Sequence, residues 1–169
     1  MKLREFKPED ASFILSWSQD EVAFRKWSAD RYPTYPLSEA DLIQNYQPHG
    51  EAGSSNFFRA YTMEDEDGIP RGSLILRCPD QDPSHIRFGF IIVDSSLHGK
   101  GYGKTMLTLA KELAEDTLGA KKLSLGVFRN NPPARHCYEA MGFRDNGASE
   151  ACQILGETWV FDFMDLSLT

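Results

Sequence analysis

Apolar and polar positions along this chain change period several times, and each change marks an element. Lys2 to Phe6 alternates as a short strand does. Pro8-Glu9-Asp10 reads as the start of a helix, with Phe13, Ile14 and Trp17 forming its apolar face. Residues 20–28 read as a second short helix carrying Val22, Phe24 and Trp27. Two prolines and two tyrosines between Arg31 and Pro36 make a loop. Ser38, three residues before Asp41, caps a helix that runs through Tyr46. Phe57 to Met63 and Ile69 to Cys78 are rich in β-formers and flank Glu64-Asp65-Glu66-Asp67-Gly68. The Asp-Gly pair signals a hairpin turn, so the acidic run reads as solvated turn rather than binding site. Pro79 to Pro83 makes a second turn and His85 to Val93 a third strand, which gives an antiparallel meander.

The period then becomes helical. Met106, Leu109, Ala110, Leu113 and Ala114 share one face. Leu123, Leu125 and Val127 alternate as a strand. Ala134, Cys137, Tyr138 and Met141 again fall on one helical face, closed by Gly142 at the C′ position. Gln153 to Leu168, centred on Trp159 to Met164, reads as a final strand, or as two if Phe143 to Asp145 joins it. The expected architecture is α/β with a mixed sheet, in one domain spanning residues 1–169.

Composition narrows the classes. The 169 residues are 41% hydrophobic and 25% charged, as in ordinary globular proteins. A net charge of -7 argues against a nucleic-acid partner held through phosphates and is compatible with a cationic substrate. The longest strongly apolar run, Phe88 to Val93, is of strand length, and no membrane partner is expected. Cys78, Cys137 and Cys152 cannot all pair and lack metal-ligand spacing. They read as reduced thiols of a cytoplasmic protein without a metal.

The richest local signal is Leu97-His98-Gly99-Lys100-Gly101-Tyr102-Gly103-Lys104, between a strand and an amphipathic helix. Alternate glycines let the backbone curl and approach a ligand, and their N–H groups converge at the positive end of a helix. Lys100 and Lys104 add positive charge. A helix-starting turn alone would also explain the glycines. A dinucleotide fingerprint fails because Lys104 occupies the place of the third glycine. A P-loop fails because His98 stands at its first glycine. A pyrophosphate cradle for coenzyme A is a third reading, and a nucleotide-binding module built on the near-miss P-loop stays open beside it.

The stretch His98-Gly99-Lys100-Gly101-Tyr102-Gly103 resembles motif A of the GNAT superfamily of N-acetyltransferases, Arg/Gln-x-x-Gly-x-Gly/Ala. A second segment, Asn131-Pro132-Pro133-Ala134-Arg135-His136-Cys137-Tyr138-Glu139-Ala140-Met141-Gly142-Phe143, resembles that family's N-x-x-A-x-x-x-Y-E-x-x-G-F. The resemblance covers Pro70 to Phe143 and extends more loosely to both ends, which look most like the branch that acetylates ribosomal-protein N-termini.

The resemblance implies a mixed, mostly antiparallel sheet flanked by helices. It implies an acetyl-CoA-dependent enzyme that acetylates a primary amine directly, on a protein or peptide N-terminus or a small molecule. It implies a monomer or homodimer. Ile91, Ile92 and Val93 would pair with the pantetheine arm. His98, Gly99, Lys100, Gly101, Tyr102, Gly103 and Lys104 would hold the pyrophosphate. Asn131 would stand near the cofactor, although a helix starting at Pro132 also needs an N-cap there. Tyr138 would be catalytic, giving a proton to the leaving thiolate, because a phenol stays protonated where a thiol ionises; a core tyrosine would fit the same helical face.

Two departures stand out. His98 replaces the usual Arg/Gln, and Arg87 stands near the position where many relatives carry a glutamate base. His85, Glu157, Asp162 or a water chain are the alternatives for that base. A non-catalytic acyl-CoA-binding domain and a nucleotide-binding module built on the near-miss P-loop are the competing functions. His136 neighbours Cys137 in sequence and so faces elsewhere on a helix, which argues against a cysteine nucleophile.

Overall fold

The computed structural model describes residues 1–168. Its elements, in chain order, are β1 (Lys2–Glu5), a 3₁₀ turn (Pro8–Asp10), α1 (Ala11–Ser16), α2 (Glu21–Ser28), α3 (Glu39–Asn45), β2 (Phe58–Glu64), β3 (Pro70–Arg77), β4 (His85–Val93), a second 3₁₀ turn (Ser95–Leu97), α4 (Tyr102–Asp116), β5 (Lys122–Phe128), α5 (Pro132–Ala140), β6 (Arg144–Ile154) and β7 (Glu157–Ser167). One seven-stranded sheet has the order β1-β2-β3-β4-β5-β7-β6. Every neighbouring pair is antiparallel except β4 and β5. The mixed, mostly antiparallel sheet flanked by helices is therefore present.

Strand alternation sends neighbouring residues of β3 to opposite faces. Leu74 and Leu76 join Met106, Leu107, Ala110 and Ala114 of α4 in one core. Ile75 joins Ile14, Trp17, Leu42 and Tyr46 in another, so α1 and α3 pack on the opposite face from α4. The Ser38 hydroxyl accepts from the Asp41 amide and starts α3 where the capping pattern places it.

Two expectations for the N-terminal helices need correction. Phe13 and Val22 are 41% and 45% exposed. α1 has six residues and α2 eight, too short for every apolar side chain in their sequences to face the sheet. The polar Asp10 is buried instead, because Arg4 grips its carboxylate with two hydrogen bonds of 2.8 and 2.9 Å and Thr62 donates a third of 2.8 Å.

The C-terminal expectation also changes. Gln153 is not the start of the last strand but lies near the end of β6, and Leu155-Gly156 forms the turn into β7. Both turn residues have positive φ, 53° and 77°, the backbone of a tight hairpin. β6 is polar and exposed along most of its length, so its apolar pattern gives no strand signal.

Two local departures from regular pairing make room for a site. β4 and β5 pair only over His85–Arg87 against Lys122–Ser124, after which they diverge. β4 also carries a bulge: Ile75 pairs with Gly89 while Ser73 pairs with Ile92, leaving one extra residue on β4. Phe90 takes a left-handed φ of 47° there. The β4 edge beyond Arg87 is left without a partner strand on the β5 side.

Candidate active site

The wedge between β4 and β5 opens into two cavities. The first, about 600 Å³, lies toward the start of α4. Ile91, Ile92 and Val93 line it, as do His98, Gly99, Gly101, Tyr102, Gly103 and Lys104, together with Asn131 and Tyr138. Lys100 is exposed and lies outside that lining. Trp17 and Trp27 complete the wall, which answers which of the N-terminal aromatics reach the cavity. Phe24, Tyr32 and Tyr35 pack on one another instead.

Local conformation explains the loop. Gly99 and Gly101 have φ of 80° and 81°, values that favour glycine, and a β-carbon at either would meet open space. Those glycines are therefore required by the turn and leave their outer side clear for a ligand. Gly101 is the N-cap of α4, a 15-residue helix. The first N–H groups of such a helix lack intrahelical acceptors and, with the helix dipole, favour an anion. Free N–H groups, open space and Lys104 suit a pyrophosphate. Asp94, just ahead, holds the Ser96 amide and pairs with Arg71, so its charge is engaged away from the loop.

Asn131 occupies the N-cap position of α5, but its side chain makes no capping hydrogen bond. It is half-buried and faces the wedge. Tyr138 is buried on the inner face of α5, edge-on to Phe143, and its hydroxyl has no hydrogen-bond partner among the described residues. Burial, and then the neighbouring Cys137, push its phenol well above the ordinary value of 10, so it remains protonated. Burial likewise raises the Cys137 thiol, with Lys104 opposing. His136 is exposed.

The second cavity, about 320 Å³, lies on the other side of the wedge. It shares Lys26, Trp27, Ile91, Asn131, Ala134 and Tyr138 with the first. Its own walls are Phe90, Phe128, Phe161 and Phe163, with Arg31, Arg77 and Arg87. Sequence reading missed the second cavity. Its signal was the register of β3 against β4, which no local pattern encodes.

Of the three side chains considered as bases, two are held by other groups and the third lies off the site. His85 is buried between Asp80 and Ser124, at 2.9 and 2.6 Å from its two ring nitrogens. Asp162 accepts from both Arg129 and Arg135, which hold its carboxyl below the usual range. Glu157 is exposed at the start of β7 and lines neither cavity. Among the described residues no cluster of His, Cys, Asp and Glu could hold a metal ion, and no helix is long and apolar enough to cross a membrane.

Comparison with known proteins agrees with this geometry. The uncharacterized N-acetyltransferase YycN of Bacillus subtilis (strain 168) is 40% identical over 68 residues, a match spanning 38% of this chain and 43% of that protein. The uncharacterized N-acetyltransferase YdgE of the same organism is 26% identical over 147 residues, 85% of this chain and 88% of that one. The spermidine N(1)-acetyltransferase of Vibrio cholerae serotype O1 is 25% identical over 148 residues, 87% of this chain and 80% of that one. The crystal structure of spermidine N-acetyltransferase from Vibrio cholerae in complex with CoA and spermine superimposes with a TM-score of 0.80, at 25% identity, over 98% of this chain and 94% of that one. Residues 1–144 match the family described as the acetyltransferase (GNAT) domain. The chain therefore belongs to the GNAT acetyltransferase family, as an acetyl-CoA-dependent N-acetyltransferase.

Proposed function

We propose that this chain, as one domain of residues 1–169, acetylates a small primary amine by direct transfer within the β4–β5 wedge. The observation that carries the reading is that the two cavities meet at Tyr138, Asn131 and Ile91. A thioester held from the α4 side and an amine held from the β5 side converge there, which supplies the proximity that acyl transfer needs.

The roles follow from chemistry. The N–H groups of the 98–104 loop and the charge of Lys104 bind the pyrophosphate of acetyl-CoA. The unpaired edge at Ile91, Ile92 and Val93 hydrogen-bonds the pantetheine amides and offers an N–H to the acetyl oxygen. Loss of one such donor lowers rates by roughly 10²- to 10³-fold in other enzymes. Asn131, released from capping, contacts the donor arm. Tyr138 donates its proton to the departing thiolate, for which burial keeps it protonated.

None of the three side chains considered above serves as a base, and the one carboxylate lining the second cavity, Glu150, is exposed on β6. A peptide α-amino group, with a pKa near 8, supplies enough neutral amine without one, whereas a simple alkylamine, with a pKa near 10 like that of lysine, loses its proton to a water chain. The Vibrio cholerae relatives, named for spermidine, support a small-molecule acceptor. The ends of the chain resemble the branch that acetylates ribosomal-protein N-termini, and a free peptide N-terminus is the alternative acceptor. Cys78, Cys137 and Cys152 are all unpaired, which agrees with a cytoplasmic location.

The engagement of His85 and Asp162 favours one competing reading, a non-catalytic acyl-CoA-binding domain. Two measurements separate the possibilities. CoA, and not ATP with Mg²⁺, should raise the melting temperature, by about 2.7 kcal/mol of stabilisation at a hundredfold excess over Kd. Thiol release from acetyl-CoA in the presence of an amine panel should follow. Stabilisation by CoA without amine-dependent thiol release would establish the binding-only reading.

A further inference from the structure

The second cavity is cationic although the chain as a whole carries a net charge of -7. Arg77 on β3 and Arg87 on β4 are direct register partners. Like charges set opposite each other across two strands are destabilising. Both side chains are half-buried and line the cavity, and Arg31 reaches it from the loop after α2. None of the three forms an ion pair among the described residues. The one carboxylate in the lining, Glu150, is exposed on β6. Burial, and then the charges of its arginine neighbours, lower the pKa of Arg77; burial lowers that of Arg87, partly offset by more distant carboxylates.

The fold also fixes where one of these charges points. Arg87 Nε donates to Ser124 Oγ at 3.0 Å. Ser124 is fully buried, and its hydroxyl proton is then free for His85 Nε2 at 2.6 Å, while His85 Nδ1 contacts Asp80 Oδ2 at 2.9 Å. Read in order, Asp80, His85 and Ser124 form a chain that ends on a guanidinium. An inaccessible serine has no use as a nucleophile, but it is a rigid support. On its other side the Arg87 guanidinium lies over the Phe163 ring, 4.9 Å from the centroid. A positively charged fork held in place opposite a second one, with no carboxylate between them, is the arrangement that binds an oxyanion such as a carboxylate or a phosphonate.

We infer that the acceptor amine carries an anionic group, a carboxylate or its phosphonate equivalent, seated between Arg77 and Arg87, and that a polycationic amine is excluded. The inference rests on the acetyl-transfer reading above and names the substrate class for that site. The ligand's anion neutralises the two forks, its apolar part lies among Phe90, Phe128 and Phe161, and its amine points to the junction at Tyr138. Four residues of regular strand span about 13 Å, which the bulge at Phe90 shortens, so several atoms fit between anion and amine. Ser124 acts as a positioning residue for Arg87.

The test compares matched amines in the thiol-release assay: the common L-amino acids and an ω-amino acid series from glycine to 6-aminohexanoate, each beside its carboxamide, with aminoalkyl phosphonates and spermidine. At least one free acid or phosphonate should be used with kcat/KM tenfold or more above its neutral counterpart and above spermidine; whether carboxylate or phosphonate leads tells which anion the site takes. Arg77→Gln and Arg87→Gln should raise KM for that acceptor tenfold or more and erase the preference over the amide. Ser124→Ala should raise the same KM with little effect on kcat. Acetyl-CoA affinity should not move in any of them. Melting temperature should hold or rise in Arg77→Gln, because a repulsion is removed. Equal or better use of amides or spermidine, or a preference that survives both arginine substitutions, overturns the inference. If no amine is acetylated, calorimetric titration of the same acids and amides into CoA-loaded protein separates the two claims. Arg77-dependent binding of acids would then retain the anion site and reject the transfer reading, and absence of such binding would reject the anion site.

Discussion

The indole N–H of Trp27 donates to the main-chain carbonyl of Phe90 at 3.0 Å, which fastens α2 to the bulge of β4. Phe90 is held at a positive φ that a bulky residue rarely adopts, and Trp27 also lines both cavities. Trp27→Phe keeps an aromatic ring and removes the donor. It should lower stability by about 1 kcal/mol in denaturant unfolding and raise KM for both substrates together. A change in KM for one substrate alone would mean the tie does not set the shape of the wedge.

Tyr138→Phe removes a hydroxyl that has no partner among the described residues, so packing should be preserved. We expect kcat to fall by about 10- to 10⁴-fold, the upper part of that span being typical of general acids, with acetyl-CoA affinity nearly unchanged. Full activity with a lowered melting temperature would make Tyr138 a core residue only.

Cys137 sits beside Tyr138 in sequence and is half-buried in the donor cavity, with a thiol that burial keeps protonated. Cys137→Ala should retain most acetyl transfer, and initial-rate kinetics should show both substrates bound before product leaves. Ping-pong patterns, or acetyl trapped on Cys137, would reveal a covalent route.

Gly101→Val should cost about 1–2 kcal/mol of stability, because a branched side chain is forced into the left-handed region, and should abolish stabilisation by CoA. Gly101→Asn separates turn from ligand, since asparagine tolerates that backbone and its β-carbon meets no protein atom. It should fold with near-normal stability and still bind CoA more weakly. Undiminished CoA binding in both variants would remove the cradle from the donor site.

Asp10 is a buried carboxyl through which acid should weaken the fold. Burial alone would raise its carboxyl, but hydrogen bonds from Arg4, the Lys7 amide and Thr62 outweigh that and leave it below the ordinary 3.8. A carboxyl depressed in the folded state contributes fully above the unfolded value of about 3.9 and is lost as pH falls through the folded one. Asp10→Asn should cost about 3 kcal/mol at neutral pH and flatten the pH dependence of stability below about pH 4. An unchanged acid transition would place the acid-labile group elsewhere.

Much of this arrangement was legible in the sequence because it is local. The meander follows from alternation and the Asp67-Gly68 turn, and α4 and α5 follow from helical spacing and the Gly142 stop. The loop and the Asn131–Phe143 segment were read from short motifs, and their side chains meet at one wedge. What escaped is what depends on register or on tertiary competition. The apolar run Phe88 to Val93 conceals a bulge, for which Gly89 was the one hint. The turn at Leu155-Gly156 lacks the Asn or Asp that marks such hairpins. The opposition of Arg77 and Arg87 exists only once β3 and β4 are aligned. Arg87, met in sequence as a missing glutamate, acquires a use only when its partner across the strand is seen.

The half-paired β4 has a consequence for the life of the molecule. The sheet leaves one ladder unfilled beyond Arg87, and under the proposed binding mode the acetyl donor would serve there as a removable eighth strand. Occupancy then closes the sheet as well as loading the catalyst, and it adds to stability by mass action. On that reading stability tracks the donor's concentration, so the melting temperature should climb with added CoA and fall back when CoA is dialysed away.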